Sequence, residues 1–495
     1  MTTQAGTKYL PPGWIWLVLF VPMFTLFHWL RQDGQALNAD MLENYAWGIA
    51  WQAGYFKHPP LFAWATALWF SIFPRQHWAY FLLSAMNACL AFAVIGAVAR
   101  RYLEPRKVPA AVLMLTLVPF YFTEAYKYNA NVALLPLWPL VVYCYLRVLE
   151  TERRSDAALL GIAAALALLT KYYSIFLLAA LLGHALTDSA VRRLFRSSLF
   201  YVALAVLAAC VAPHVYWLAH HDFVSFEYIS ERVAINSGVS YWFAEKLIGF
   251  LLALPFFIII PIGLIFLLSR RHPAAPRSTF TGRWRSLTAS RDGRLLLWVC
   301  TAPCALTALY CLATWAVPHT NWLIPAGFGW TILAVRLLPE WDVAGGTRLF
   351  FRILAVFWTG FIAAALLLPA RTGLPMIEAS RIAVQTWEAR YGSPPRIVGG
   401  FRNYADAVAF YARRPPQVLQ RLSYRLTPWI RPEDIRRYGA LFICDTRIPQ
   451  CMNGIKTFEP APRLVKSIEV RHADRSASDR GYPVSIFIVP PSGAT

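Results

Sequence analysis

Long apolar runs recur along this chain from Trp14 to Leu368 and then stop. A soluble core cannot hide so many, whereas a bilayer takes roughly 20 apolar residues per spanning helix. About 11 runs reach or approach that length. They lie at 11–30, 78–99, 107–122, 130–148, 156–170, 172–187, 198–219, 247–269, 295–316, 322–338 and 350–369. Composition agrees, since 58% of residues are hydrophobic against roughly 45–50% in soluble domains. The expected fold is a polytopic α-helical membrane protein with about 11–13 transmembrane helices over residues 1–370. A small soluble α/β domain is expected over 371–495. The first run is long and has no small-residue cleavage site, so it reads as an anchor rather than a removable leader.

The formal net charge is +21, and its placement argues against nucleic acid as a partner. Arg100, Arg101, Arg106 and Lys107 follow the second run, and Arg147, Arg153 and Arg154 the fourth. Arg192, Arg193 and Arg196 follow the sixth. A basic loop at 270–294 follows the eighth, and Arg336, Arg348 and Arg352 bracket the loop after the tenth. Every second loop is basic, as cytoplasmic loops are. The N-terminus is therefore expected inside. Loops 31–77, 123–129, around 171, 220–246, 317–321 and the tail are expected outside. A full span at 61–73 would reverse all later loops. Residues 59–74 therefore read as a short re-entrant or interfacial helix, or as one of a merged pair of spans.

The tail alternates β-branched runs ("RIVGG", "ALFICDT", "LVKSIEV", "VSIFIV") with helical stretches such as "NYADAVAFYARR" and "RPEDIRRYG". That alternation suggests a small α/β domain. Cys444 and Cys451 stand in it. Outside the cell a short disulfide is plausible, and in a reducing compartment a thiol pair is the better reading. The other six cysteines lie in apolar runs and read as packing residues.

Ionisable residues at membrane depth are functional candidates, and here they gather in the outer loops. Asp40 and Glu43, three apart, share one face if 38–47 is helical. They can supply a general base, bind a sugar hydroxyl or hold a metal, or serve as loop and cap residues. Lys57 and His58 stand before Pro59-Pro60, which a regular helix does not cross. They suit a phosphate, or, for Lys57, lipid headgroups. Glu124, Lys127, Asn129 and Asn131 lie where a loop enters a run, and the asparagines read as caps or as sugar ligands. Lys171 stands beside Tyr172 and Tyr173, and His319 and Asn321 lie on a third outer loop. Histidine spacing indicates no metal site. No Asp-x-Asp, Gly-x-Ser-x-Gly or nucleotide loop occurs.

The stretch "DMLENYAWGIAWQAGYFKHPPLFAW" resembles the first outer loop of bacterial family 39 glycosyltransferases. These are GT-C-fold enzymes akin to protein O-mannosyltransferases and to the lipid A aminoarabinose transferase. Asp40, Gly54-Tyr55-Phe56 and His58-Pro59-Pro60-Leu61 fall on the family pattern. "KYNANVALLPLWPL", "TKYYSIFLL" and "HTNWLIPA" follow in the family's order, so the resemblance spans residues 1–370. Two positions depart: Met41 stands where the family has Glu, and Lys57 where it has an acid.

The resemblance implies an inverting transferase whose donor is a sugar on polyprenyl phosphate. Its acceptor would be lipid A or LPS core, another envelope glycan or lipid, or a protein. Asp40 would be the base. Lys57, His58, Lys127, Lys171, Tyr172 and His319 would hold the donor phosphate. Glu43, Tyr55, Asn129, Asn131 and Asn321 would bind acceptor or sugar. No cofactor is required beyond the lipid-linked donor, and an acid pair leaves a divalent ion open. The competing readings are a transporter or flippase of lipid-linked sugars, which needs no base, and a non-catalytic envelope scaffold. Surplus lysine at this face hints at an acidic sugar.

Overall fold

The computed structural model describes residues 13–32, 34–228, 240–274, 279–368, 374–401, 403–471 and 481–492. The expected junction at 370–371 and the middle of the 220–246 loop lie outside them.

Helix occurs at each of the expected apolar runs, but fewer of them are long enough to cross. Seven helices have the length and apolarity to span: Trp14–Arg31, His77–Ala99, Leu134–Thr151, Ser198–Ala219, Trp242–Arg271, Arg291–Thr314 and Ala344–Leu367. An eighth is possible if Tyr172–Thr187 and Ser189–Arg196, bent by 99°, form one broken span. Among the described residues, and by length and composition alone, full-length helices are fewer than the 11–13 expected spans, and the other runs form shorter or broken helices. The run at 107–122 shows why. It forms a six-residue helix, Val108–Leu113, then 3₁₀ turns at Met114–Leu117 and Pro119–Tyr121. Its residues are almost all buried, and irregular backbone at membrane depth is tolerated where protein covers it.

The two ends of the bundle differ in charge. At one end the basic loops meet: Arg101 pairs with Glu150 at 3.0 Å and Asp292 at 3.3 Å, and Lys107 with Glu340 at 3.4 Å. The Arg294 Nε donates to Asp188 at 3.0 Å. At the other end lie Asp40, Lys57, Asn131 and Lys171, together with the C-terminal part of the chain.

That part carries a five-stranded sheet of order β2-β1-β3-β5-β4. Its strands are β1 (Ile397–Gly400), β2 (Gln417–Gln420), β3 (Ala440–Asp445), β4 (Arg463–Val470) and β5 (Tyr482–Val489). β2, β1 and β3 are parallel; β5 runs antiparallel to both β3 and β4. Four strands match the β-branched runs, and β2 is additional. Cys444 and Cys451 form a disulfide with Cα atoms 5.8 Å apart.

The sheet domain docks on the helix that begins near residue 39. Its Tyr404–Tyr411 helix packs against Ala39–Gly48. Arg75 donates to the carbonyls of Phe410 (3.0 Å), Ala412 (2.8 Å) and Arg413 (2.7 Å). The Tyr411 hydroxyl accepts from the Leu37 amide at 2.8 Å. Arg75 thereby satisfies carbonyls that a helix C-terminus leaves open.

Candidate active site

The site is built around Ala39–Gly48. Asn38 starts this helix, its side-chain oxygen accepting from the Asp40 amide at 3.0 Å. Because Asn38 does the capping, the Asp40 carboxylate is released for other contacts. Residues Met41 to Gly48 are all buried, so the helix is inserted among its neighbours on every side. It can be, because its polar residues are matched: the Asn44 amide donates to Thr66 Oγ1 (2.8 Å) and to the Tyr128 carbonyl (3.2 Å). Gly48 permits close approach to the Leu61–Ile72 helix, where a Cβ would stand 2.5 Å from the Ala63 carbonyl oxygen.

Asp40 remains half-buried and accepts a hydrogen bond from Asn129 Nδ2 at 3.1 Å. The Asn129 oxygen accepts from the amides of Asn131 (3.0 Å) and Val132 (3.1 Å). Asn129 is therefore both a turn cap, as one sequence reading had it, and the orienting partner of Asp40, which neither sequence reading had. The Asn131 oxygen accepts from Lys171 Nζ at 2.5 Å. Lys171 also lies over the rings of Tyr173 (5.8 Å) and Trp322 (6.0 Å). Burial pushes its ammonium pKa down to about 8, partly opposed by Asp40. His319 meets Trp322 edge to face at 5.7 Å, which brings that loop next to Lys171. Asn321 is exposed.

The Gly54–Leu61 stretch folds back on itself, the Tyr55 amide donating to the His58 carbonyl at 3.1 Å. Pro59 and Pro60 lack donors, and the helix starts only at Leu61. Lys57 forms a buried ion pair with Glu43. It also lies over Phe56 (5.0 Å), Trp47 (5.7 Å) and Tyr228 (5.7 Å). Its charge is thus engaged inside the protein. His58 is held well below the usual imidazole range by burial, then by Lys171 and Lys57, so it is a neutral group near pH 7. Tyr55 donates to the Trp47 carbonyl at 2.7 Å and stacks on that indole at 5.1 Å. Tyr172 bonds to His214 Nε2 at 2.9 Å, and His214 Nδ1 to the Ala53 carbonyl at 2.7 Å. Both tyrosines brace the loop. Lys127 pairs with Glu124 at 2.8 Å and lies within electrostatic reach of Asp40.

The structure therefore gathers Asp40, Asn129, Asn131, Lys171 and His58, with Lys127 nearby. Glu43 and Lys57 form a separate pair one helical turn from Asp40. Asn44, Thr66 and His214 were not singled out from sequence as members. Asn44 had a signal, standing four residues after Asp40 where a helix places both on one face.

A membrane-spanning helical bundle with a polar site at one end, closed by a sheet domain, is of the GT-C fold class. The solved structure of ArnT from Cupriavidus metallidurans, bound to undecaprenyl phosphate, superposes with TM-score 0.59 at 16% identity. The match covers 97% of this chain and 98% of that one, the sheet domain included. Residues 57–217 match the family described as dolichyl-phosphate-mannose-protein mannosyltransferase. That is narrower than the 1–370 expected from motifs. Two Rhizobium johnstonii proteins are similar in sequence. Lipid A galacturonosyltransferase RgtD is 25% identical over 332 residues, 65% of each chain. Lipopolysaccharide core galacturonosyltransferase RgtA is 24% identical over 330 residues, 65% of this chain and 64% of its own length. The chain thus aligns with just under two thirds of either relative.

Proposed function

We propose that this chain is an inverting glycosyltransferase that moves a hexuronic acid from polyprenyl phosphate to lipid A or LPS core. The reading places the reaction at the periplasmic face of a bacterial inner membrane, with the N-terminus cytoplasmic. Residues 1–370 form the catalytic membrane part and 371–495 a periplasmic domain. The observation that carries it is Asp40, a half-buried carboxylate oriented by Asn129 and flanked by Lys171. The names of the two sequence relatives supply the sugar and acceptor classes. The ArnT complex supports a lipid phosphate as the donor's leaving group.

Asp40 takes the proton from the acceptor hydroxyl as its oxygen attacks the anomeric carbon from the face opposite the phosphate. The carbon–oxygen bond to the lipid phosphate breaks and configuration inverts. Lys171 stabilises the departing phosphate, and Asn131 holds that ammonium in place. No cofactor beyond the donor is invoked. The test incubates purified protein with polyprenyl-phosphate hexuronate and lipid A, read by mass spectrometry. One added hexuronate per lipid A is expected. Movement of intact donor across a vesicle membrane without transfer would instead establish a transporter.

Lys171 gives this reading a pH signature. Its ammonium is charged below about pH 8 and neutral above, so phosphate binding weakens on the alkaline side. Kd for polyprenyl phosphate should rise up to about tenfold from pH 7 to pH 9. Lys171→Arg, permanently charged, should flatten that rise. A wild-type Kd that is level across the range removes Lys171 from the phosphate.

A further inference from the structure

Arg421 is a cation that neither the motifs nor the mechanism above employ. It follows β2 directly and takes a left-handed backbone conformation, φ 51°, as does Leu422, φ 57°. Two adjacent residues with side chains in that region are strained, and such strain persists only where the surroundings impose it. Here they do. Leu422 is buried in the sheet-domain core, and the Gln420 amide donates to Thr427 Oγ1 at 2.9 Å. The Gln420 side chain is tied to Asp406 at 2.8 Å. The turn is thus locked from beneath.

Its effect is to set the Arg421 guanidinium over Phe56 at 5.2 Å and Tyr228 at 5.8 Å. Lys57 lies on the same two rings. The two cations differ in what neutralises them. Lys57 has Glu43, and Arg425, four residues on, has Glu227 at 3.0 Å. No acid among the described residues pairs with Arg421. Phe56 belongs to the Gly54–Leu61 stretch whose His58 feels the charge of Lys171. Arg421 therefore reaches, from the sheet domain, the loop that borders Asp40. With those ion pairs cancelled, Lys171 and Arg421 are, among the described residues around this loop, cations that a substrate anion can engage.

We infer that Arg421 binds the carboxylate of the transferred sugar and makes the enzyme selective for uronosyl over neutral donors. The inference rests on the function proposed above. A planar guanidinium already fixed by aromatic faces presents a fork that matches a carboxylate. A neutral hexose offers no such partner, so selectivity follows from a contact that only one donor makes.

The experiment compares kcat/KM for polyprenyl-phosphate hexuronate and the matching neutral hexose, with lipid A as acceptor. Wild type should prefer the uronosyl donor. Arg421→Gln should lower kcat/KM for that donor by about 10- to 100-fold and leave the neutral donor within a few-fold. Arg421→Lys should fall between. Arg421→Gly relieves the left-handed strain, so it should melt at or above wild type while losing the same preference, which separates recognition from folding. Equal loss on both donors would place Arg421 on the phosphate or the acceptor and overturn the inference, as would an unchanged preference. A wild-type enzyme that ignores the uronosyl donor refutes the sugar proposed above. A preference that survives Arg421→Gln refutes Arg421 alone.

Discussion

Asp40→Asn should reduce glycosyl transfer by about 10²- to 10⁴-fold in kcat, the range contributed by a positioned base. Donor affinity should change by no more than a few-fold. The substitution keeps side-chain size and an oxygen that can still accept from Asn129 Nδ2. It leaves the helix start untouched, because Asn38 caps it. The structural cost is confined to one negative charge in the first helical turn, about 0.3–1 kcal/mol. A fall in kcat with Kd preserved is therefore a statement about proton transfer rather than folding. Single-turnover transfer and binding of polyprenyl phosphate, measured on the same preparation, separate the two. Normal turnover in Asp40→Asn would refute the assignment of the base.

The second large effect concerns stability. Lys57 and Glu43 are both buried, with side-chain exposures of 6% and 8%. Removing one partner of such a pair leaves an uncompensated charge in a poorly polar site, at a cost of about 3–5 kcal/mol. Glu43→Gln should lower the melting midpoint in detergent by roughly 5 °C, and Lys57→Met should do the same. The double variant Glu43→Gln/Lys57→Met removes both charges and should recover most of the loss. That non-additivity distinguishes a buried pair from two independent contributors. Singles that melt like wild type would mean the pair is not enclosed in the folded protein.

The apolar runs were legible because a bilayer imposes one strong rule on composition. The form each run takes was not. In 107–122, Pro109 and Pro119 divide an apolar run that protein, rather than lipid, covers. Hydropathy alone cannot tell those two surroundings apart. In the sheet domain, β1, β3, β4 and β5 announced themselves by β-branched residues. β2, the four-residue "QVLQ", did not, and its place next to β1 is a matter of long-range pairing. Asp40 and Asn129 were legible as candidates, from a motif and from a loop-to-helix position. Their hydrogen bond, across 89 residues, was not.

The sequence by itself determined that this is a membrane protein with its polar residues drawn to one end and its surplus arginines to the other. Hydrophobic transfer and charge placement act locally along a chain, so both can be read from it. Only the tertiary structure decided which of the described cations an acid neutralises. Lys57 stands in the motif, yet Glu43 neutralises it. Lys171 is set beside Asp40, and Arg421 arrives from the sheet domain. Coulomb energy depends on separation and on loss of water, and neither is a property of position along the chain.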